Sequence, residues 1–186
     1  MTDAPGGPPD RLARLWAGWR LPYLESTTAE EVEAEGAGAC VFCRILASDE
    51  DPGDSYVVWR DHLCAVVLNV FPYTSGHLMV MPVRHSADID DLDPEEAARL
   101  WHIVTCAVQA LRTAYVPEGL NIGANLGRAA GAGVPGHFHV HCVPRWNGDT
   151  NFMTTLAETR VLPEALPSTF ERLRAAWPPD IDPETS

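Results

Sequence analysis

The 186-residue chain, with 46% hydrophobic content, is long enough for one domain with a substantial core. Its net charge of −13 argues against nucleic acid as a partner, because that affinity rests on Lys and Arg displacing counterions. All 13 basic side chains are Arg, so lysine-based Schiff-base or P-loop chemistry is excluded.

Residues 1–10 are rich in Gly and Pro and read as a disordered tail, as do the Pro- and Asp-rich residues 178–186. The working domain is expected over 11–177. Residues 1–20 lack a basic region followed by an apolar one, and no apolar run approaches the roughly 20 residues that span a bilayer. A cytoplasmic protein without a membrane partner is the expectation. Leu12, Leu15, Trp16, Trp19 and Leu21 are too dense an apolar set for a free arm, and residues 25–35 read as an acidic connection or short helix.

Strand patterns follow at 56–59, 64–68 and 77–83, with a turn at Arg60-Asp61-His62 and a loop over 72–76. A helix is predicted to start where Asp93 caps, Pro94 takes the first helical position and Glu96 closes a capping box. Leu100, Trp101, Val104, Val108 and Leu111 recur at helical spacing, and Pro117 with Gly119 marks the end after about 20 residues. Strands over 120–126 and 138–143 flank a Gly-rich loop, 127–136. Helical potential returns at 154–162 and after Ser168, which forms a capping pattern with Glu171. About five strands around one long helix imply an α+β fold with a largely antiparallel sheet.

The informative run is Gly136-His137-Phe138-His139-Val140-His141-Cys142-Val143. Alternate strand residues share a face about 6.6 Å apart, so one face is lined by imidazoles while Phe138, Val140 and Cys142 supply burial on the other. Neutral imidazole is both a nucleophile and a metal ligand. Two chemistries therefore stay open: nucleophilic catalysis, or an open zinc site built from His139, His141 and another His.

Five cysteines, an odd count, speak against a disulfide framework. Cys64, Cys106 and Cys142 sit in apolar patterns and are expected to be buried as small hydrophobes. Cys40-Val-Phe-Cys43 offers two thiolates at a spacing suited to tetrahedral zinc, with His85 and His137 as the leading further ligands. Such a site is neutral and closed, so it clips the N-terminal segment to the sheet. A redox CxxC and a buried thiol pair are the alternatives.

HFHVHCV resembles the signature of the histidine-triad (HIT) superfamily. With RLWAGWRLPYL, CVFC, SGHLMVMPVRH, NIGANLGRAAGAGVPGH and VPRWNGDTNFM, the likeness runs from about residue 11 to 177 and is strongest to bacterial members related to diadenosine tetraphosphate phosphorylases. The resemblance implies a five-stranded antiparallel sheet with one long and further short helices, extended across a homodimer. It implies an adenine nucleotide or dinucleoside polyphosphate as substrate, with His139 attacking the α-phosphate and His141 protonating the leaving group. It makes Cys40, Cys43, His85 and His137 ligands of a structural zinc. Asn69, His77, Asn125, Gly133 and Trp146 fall at positions that line the substrate in the family, while Arg128 and Arg145 could pair bidentately with polyphosphate. One departure is the loop 131–136, which has no Gln, Ser or Thr where many members do. The same pocket also suits a nucleotide-binding module with little turnover.

Overall fold

The computed structural model describes residues 38, 40–48, 55–149, 164–179 and 181. Five strands form one sheet: β1 (Val57–Arg60), β2 (Cys64–Leu68), β3 (Leu78–Pro82), β4 (Gly119–Gly123) and β5 (Val140–Arg145). Their order is β1-β2-β3-β5-β4, and every neighbouring pair is antiparallel. Helices α1 (Val41–Ala47), α2 (Pro94–Tyr115) and α3 (Leu166–Ala176) cover it. This is the expected α+β architecture. The segments 11–23, 25–35 and 154–162 lie outside the described residues, as do nearly all of both expected tails.

Strands β2 and β3 are buried at every position because both faces of the sheet are covered. Cys64, Val66, Leu68, Leu78 and Val80 face one way, into a core with Leu100, Ile103, Ala107 and Leu111 of α2 and Phe170 and Leu173 of α3. Ala65, Val67, Met79 and Met81 face the other way, against Cys40, Phe42 and Leu46. The two-residue period thus splits one apolar run between two cores.

Helix α2 starts as its sequence dictates. The Asp93 carboxylate accepts from the amides of Glu95 and Glu96, and the Glu96 side chain accepts from the Asp93 amide. It stops at Val116, which takes a left-handed conformation (φ 46°, ψ 52°) before Pro117. Trp101, expected on the inner stripe, is instead 49% exposed, because Leu100 and Ile103 fill the inward positions beside it. The Asp61 turn is fixed from inside: its carboxylate accepts from the amides of Leu63 and Cys64 and pairs with Arg99 of α2 at 2.7 Å.

Several boundaries differ from expectation. β5 pairs only from Val140, since the Phe138 amide donates to the Ser86 carbonyl rather than to a strand. β4 occupies 119–123, not 120–126. Helix α3 begins at Leu166 with Pro167 in its first turn, so Ser168 lies inside the helix and caps nothing. A proline in the first turn sacrifices no hydrogen bond, which allows the earlier start. Cys64, Cys106 and Cys142 are buried as expected.

Candidate active site and metal centre

Two glycines with positive φ, Gly127 and Gly131, turn the chain in the loop that leads to the triad. Phe138, Val140 and Cys142 then enter the α2 core, and the three imidazoles emerge on the α1 side. The His139 and His141 rings lie 4.9 Å apart, and Phe42 packs edge-on against His139 at 5.1 Å and His137 at 5.5 Å. His141 lies opposite Met79 of β3 and Gly123 of β4.

Backbone carbonyls set the tautomers. Nδ1 of His139 lies 2.8 Å from the carbonyl oxygen of His137, which can only accept, so Nδ1 carries the proton and Nε2 the lone pair. Burial holds the His139 pKa below the ordinary histidine value, with the carbonyl bond partly opposing the shift. The ring is therefore neutral at neutral pH, with an unprotonated Nε2.

His141 has the opposite tautomer. The Tyr73 amide donates to Nδ1 of His77 at 3.1 Å, leaving the proton of His77 on Nε2. That nitrogen lies 3.0 Å from Nδ1 of His141 and donates to it, so His141 carries its proton on Nε2. A lone-pair nitrogen and an N–H donor thus stand on adjacent rings of one face.

Cys40, Cys43, His85 and His137 bring their four ligand atoms within 4.8 Å of one another, and they could hold a metal ion. Nδ1 of His137 lies 3.5 Å from each sulfur, and Nδ1 of His85 lies 3.2 Å from that of Cys43. Nε2 of His137 donates to the Pro82 carbonyl at 2.9 Å, which leaves Nδ1 as the ligand nitrogen. Burial and the neighbouring Cys40 push the Cys43 thiol up to about 11, so that thiol would release its proton only to a bound cation. Two sulfurs and two imidazoles, with a carbonyl fixing one tautomer, suit zinc. Among the described residues this is the one such cluster, and His139 and His141 are not in it. The alternative of an open zinc site on those two histidines finds no support in this geometry.

The other candidates are scattered more widely. Asn69 reaches Nδ1 of His77 at 3.4 Å, and its carbonyl accepts from the Phe71 amide. His77 is 1% exposed and meets His141 rather than open solvent. Asn125 donates to the Gly131 carbonyl at 3.3 Å and so braces the Gly-rich loop, where Gly133 is exposed. Arg145 forks onto Asp149 at 2.6 and 2.7 Å and donates to Asn121 of β4, so its guanidinium is already engaged by its own turn and by the neighbouring strand. Trp146 meets Tyr115 edge-on at 6.2 Å. Sequence reasoning missed Phe42 and Tyr73. Phe42 was visible as the apolar residue inside Cys40-Val-Phe-Cys43, whereas Tyr73, whose amide donates to His77 and whose ring lies 4.5 Å from that of His77 and 5.9 Å from that of His141, sits in a loop with no periodic signal.

The HIT domain model matches residues 52–148. The chain is 37% identical over 178 residues, 95% of its own length and 90% of the relative's, to AP-4-A phosphorylase of Mycobacterium tuberculosis. A zinc-bound histidine triad family protein from Mycobacterium smegmatis superposes with a TM-score of 0.61 and 32% identity, covering 76% of this chain and 94% of that one. A hypothetical histidine triad nucleotide-binding protein from Sulfolobus tokodaii gives 0.61 at 28% identity, over 74% and 91%. The chain belongs to the HIT family.

Proposed function

We propose that the protein is a nucleotidyl transferase acting at the α-phosphate of an adenine nucleotide or dinucleoside polyphosphate, with inorganic phosphate as the acceptor. The opposite tautomers of His139 and His141 are the observation that carries this reading. Nε2 of His139 attacks the α-phosphorus, forming a P–N bond as the P–O bond to the leaving group breaks. Nε2–H of His141 gives its proton to the departing oxygen and recovers one from the attacking hydrogen phosphate in the second half, while the Nε2–H of His77 on its Nδ1 holds the tautomer. In the second half, phosphate attacks phosphorus, the P–N bond breaks and its electron pair returns to His139. Dividing one displacement into two is the advantage of covalent catalysis.

The HIT relative named AP-4-A phosphorylase, at 37% identity over 95% of this chain, supports both enzyme and acceptor. Asn125, the Gly133 loop and Trp146 border the substrate in this reading, with Asn69 and Arg145 bracing their surroundings. Zinc would be held by Cys40, Cys43, His85 and His137; when bound it supplies a closed structural clip. The zinc-bound relative from M. smegmatis supports this choice of metal.

The working form is a homodimer with the sheet extended between protomers. Four of the five residues of edge strand β4 are exposed, and Trp101 and Ile122 are 49% and 45% exposed. Five free cysteines suit a reducing cytoplasm, and no helix among the described residues is long and apolar enough to cross a membrane. The domain takes in residues 11–177.

The acceptor is tested by the products from diadenosine tetraphosphate in about 5 mM phosphate, a level above common KM values. ADP plus ATP is expected. AMP plus ATP would make the enzyme a hydrolase, and stoichiometric binding without cleavage would make it a nucleotide-binding module.

A further inference from the structure

The HIT match ends at residue 148, yet side chains beyond it reach back toward the His77–His141 pair. Glu164, just ahead of α3, accepts from the Tyr115 hydroxyl at 2.5 Å and from the Thr169 hydroxyl at 3.1 Å. Its other oxygen pairs with Arg172 at 2.9 Å, and the Arg172 guanidinium lies 5.1 Å over the Tyr115 ring. Burial, aided by Glu164, pushes the Tyr115 pKa upward, so the phenol stays a donor. The ring is held at both its hydroxyl and its face.

The held ring bears on the residue before His77. Gly76 has φ +83°, and a Cβ there would stand 2.8 Å from Cε2 of Tyr115 and 3.2 Å from Cδ2 of Leu111. Glycine therefore lets the turn lie directly on the ring. The turn is tied on its other side, where the Thr74 hydroxyl donates to the Pro144 carbonyl at 2.8 Å, three residues after His141. Tyr115 also meets Trp146, so one ring touches the segments that carry both partners.

We propose that Tyr115, clamped by Glu164 and Arg172, is a positioning residue for the proton donor: by bearing on Gly76 it fixes the His77 ring, and through it the tautomer of His141. The proposal rests on His141 as donor in the reading above. The C-terminal helix thereby takes part in catalysis without touching substrate.

The test uses the full chain and two probes. Adenosine 5′-phosphoramidate has an amine leaving group that must be protonated, whereas the p-nitrophenyl ester of AMP releases a stable anion. Tyr115→Leu is expected to slow single-turnover cleavage of the phosphoramidate roughly tenfold to a hundredfold and of the ester less than about twofold, as for a misplaced acid. Tyr115→Phe, which keeps the ring, restores most of the rate, and Glu164→Gln falls between the two. In ¹⁵N spectra of the histidine rings, His141 changes from the Nε2–H form to a mixture in Tyr115→Leu, while His139 is unchanged. Equal losses on both probes, or an unchanged His141 tautomer, overturn the proposal. If Tyr115→Leu does not fold, Glu164→Gln is read by the same two criteria. If the wild type cleaves neither probe, nucleotidyl transfer fails as a function, and the tautomer spectra alone decide the role of Tyr115.

Discussion

His137 and His139 are coupled through one carbonyl. The oxygen of His137 accepts the Nδ1 proton of His139 at 2.8 Å, while the ring of His137 turns its own Nδ1 toward Cys40 and Cys43. The residue that could close a metal site with Cys40, Cys43 and His85 thus also sets the tautomer of the proposed nucleophile. Phe42, between the two cysteines, lies against both rings.

The first prediction concerns the metal. Elemental analysis should find about one zinc per chain, by the closed four-ligand logic. Cys43→Ala should lower the melting temperature strongly, while the surviving folded fraction keeps measurable nucleotidylation. Full zinc content in a Cys40→Ala/Cys43→Ala double variant would contradict the assignment.

A second prediction is pH-dependent stability at the start of α2. Two hydrogen bonds from Arg84, at 2.7 and 2.6 Å, hold the Glu96 carboxyl below its usual 4.5, and the Asp93 amide adds to the effect. A lowered folded-state value means the stabilisation is complete above about 4.5 and fades as pH falls through the folded value. Glu96→Gln should cost about 1 kcal/mol at neutral pH, a modest figure because half of Arg84 remains in water. Urea titrations of both proteins should converge in acid. A pH-independent gap would contradict the ionic origin.

The pair of α2 ends shows what the sequence made legible. Its start was visible because Asp93, Pro94 and Glu96 act locally, through bonds spanning three residues. Its end was seen only as a place, since Pro117 stops the helix but the left-handed turn falls on Val116, a residue with no propensity for it. The triad face could be read from period-two alternation, and the Cys40, Cys43, His85 and His137 set from ligand chemistry plus family resemblance. The occupied guanidinium of Arg145 could not, because Asp149 reads as loop polarity until the turn is folded. Nor could the Tyr73 amide on His77, which any residue except proline could supply.

From that end of α2 comes the third prediction. Val116 is 79% exposed, so its left-handed strain is balanced by little burial. Val116→Gly should stabilise the protein by about 1 kcal/mol, the scale of the Cβ penalty there. A lower denaturation midpoint for the variant would show that the side chain contributes packing.

Fourth, the histidines should separate by role. His141→Ala should be milder than His139→Ala, because a lost proton donor costs about 10² to 10⁴ in rate while a lost nucleophile removes the covalent route. The defect of His141→Ala should shrink on a substrate whose leaving group needs no proton. A His141→Ala enzyme impaired equally on every leaving group would argue against the donor assignment.

The central claim is a covalent nucleotidyl-His139, and the most direct measurement is single-turnover quenching with substrate labelled at the α-phosphate. An acid-labile, base-stable adduct should form and map to His139. His139→Ala should form none while binding nucleotide within about tenfold of wild type, since the lost group bonds to phosphorus rather than anchoring the substrate. Normal turnover by His139→Ala, with no protein-bound label in the wild type, would contradict the account.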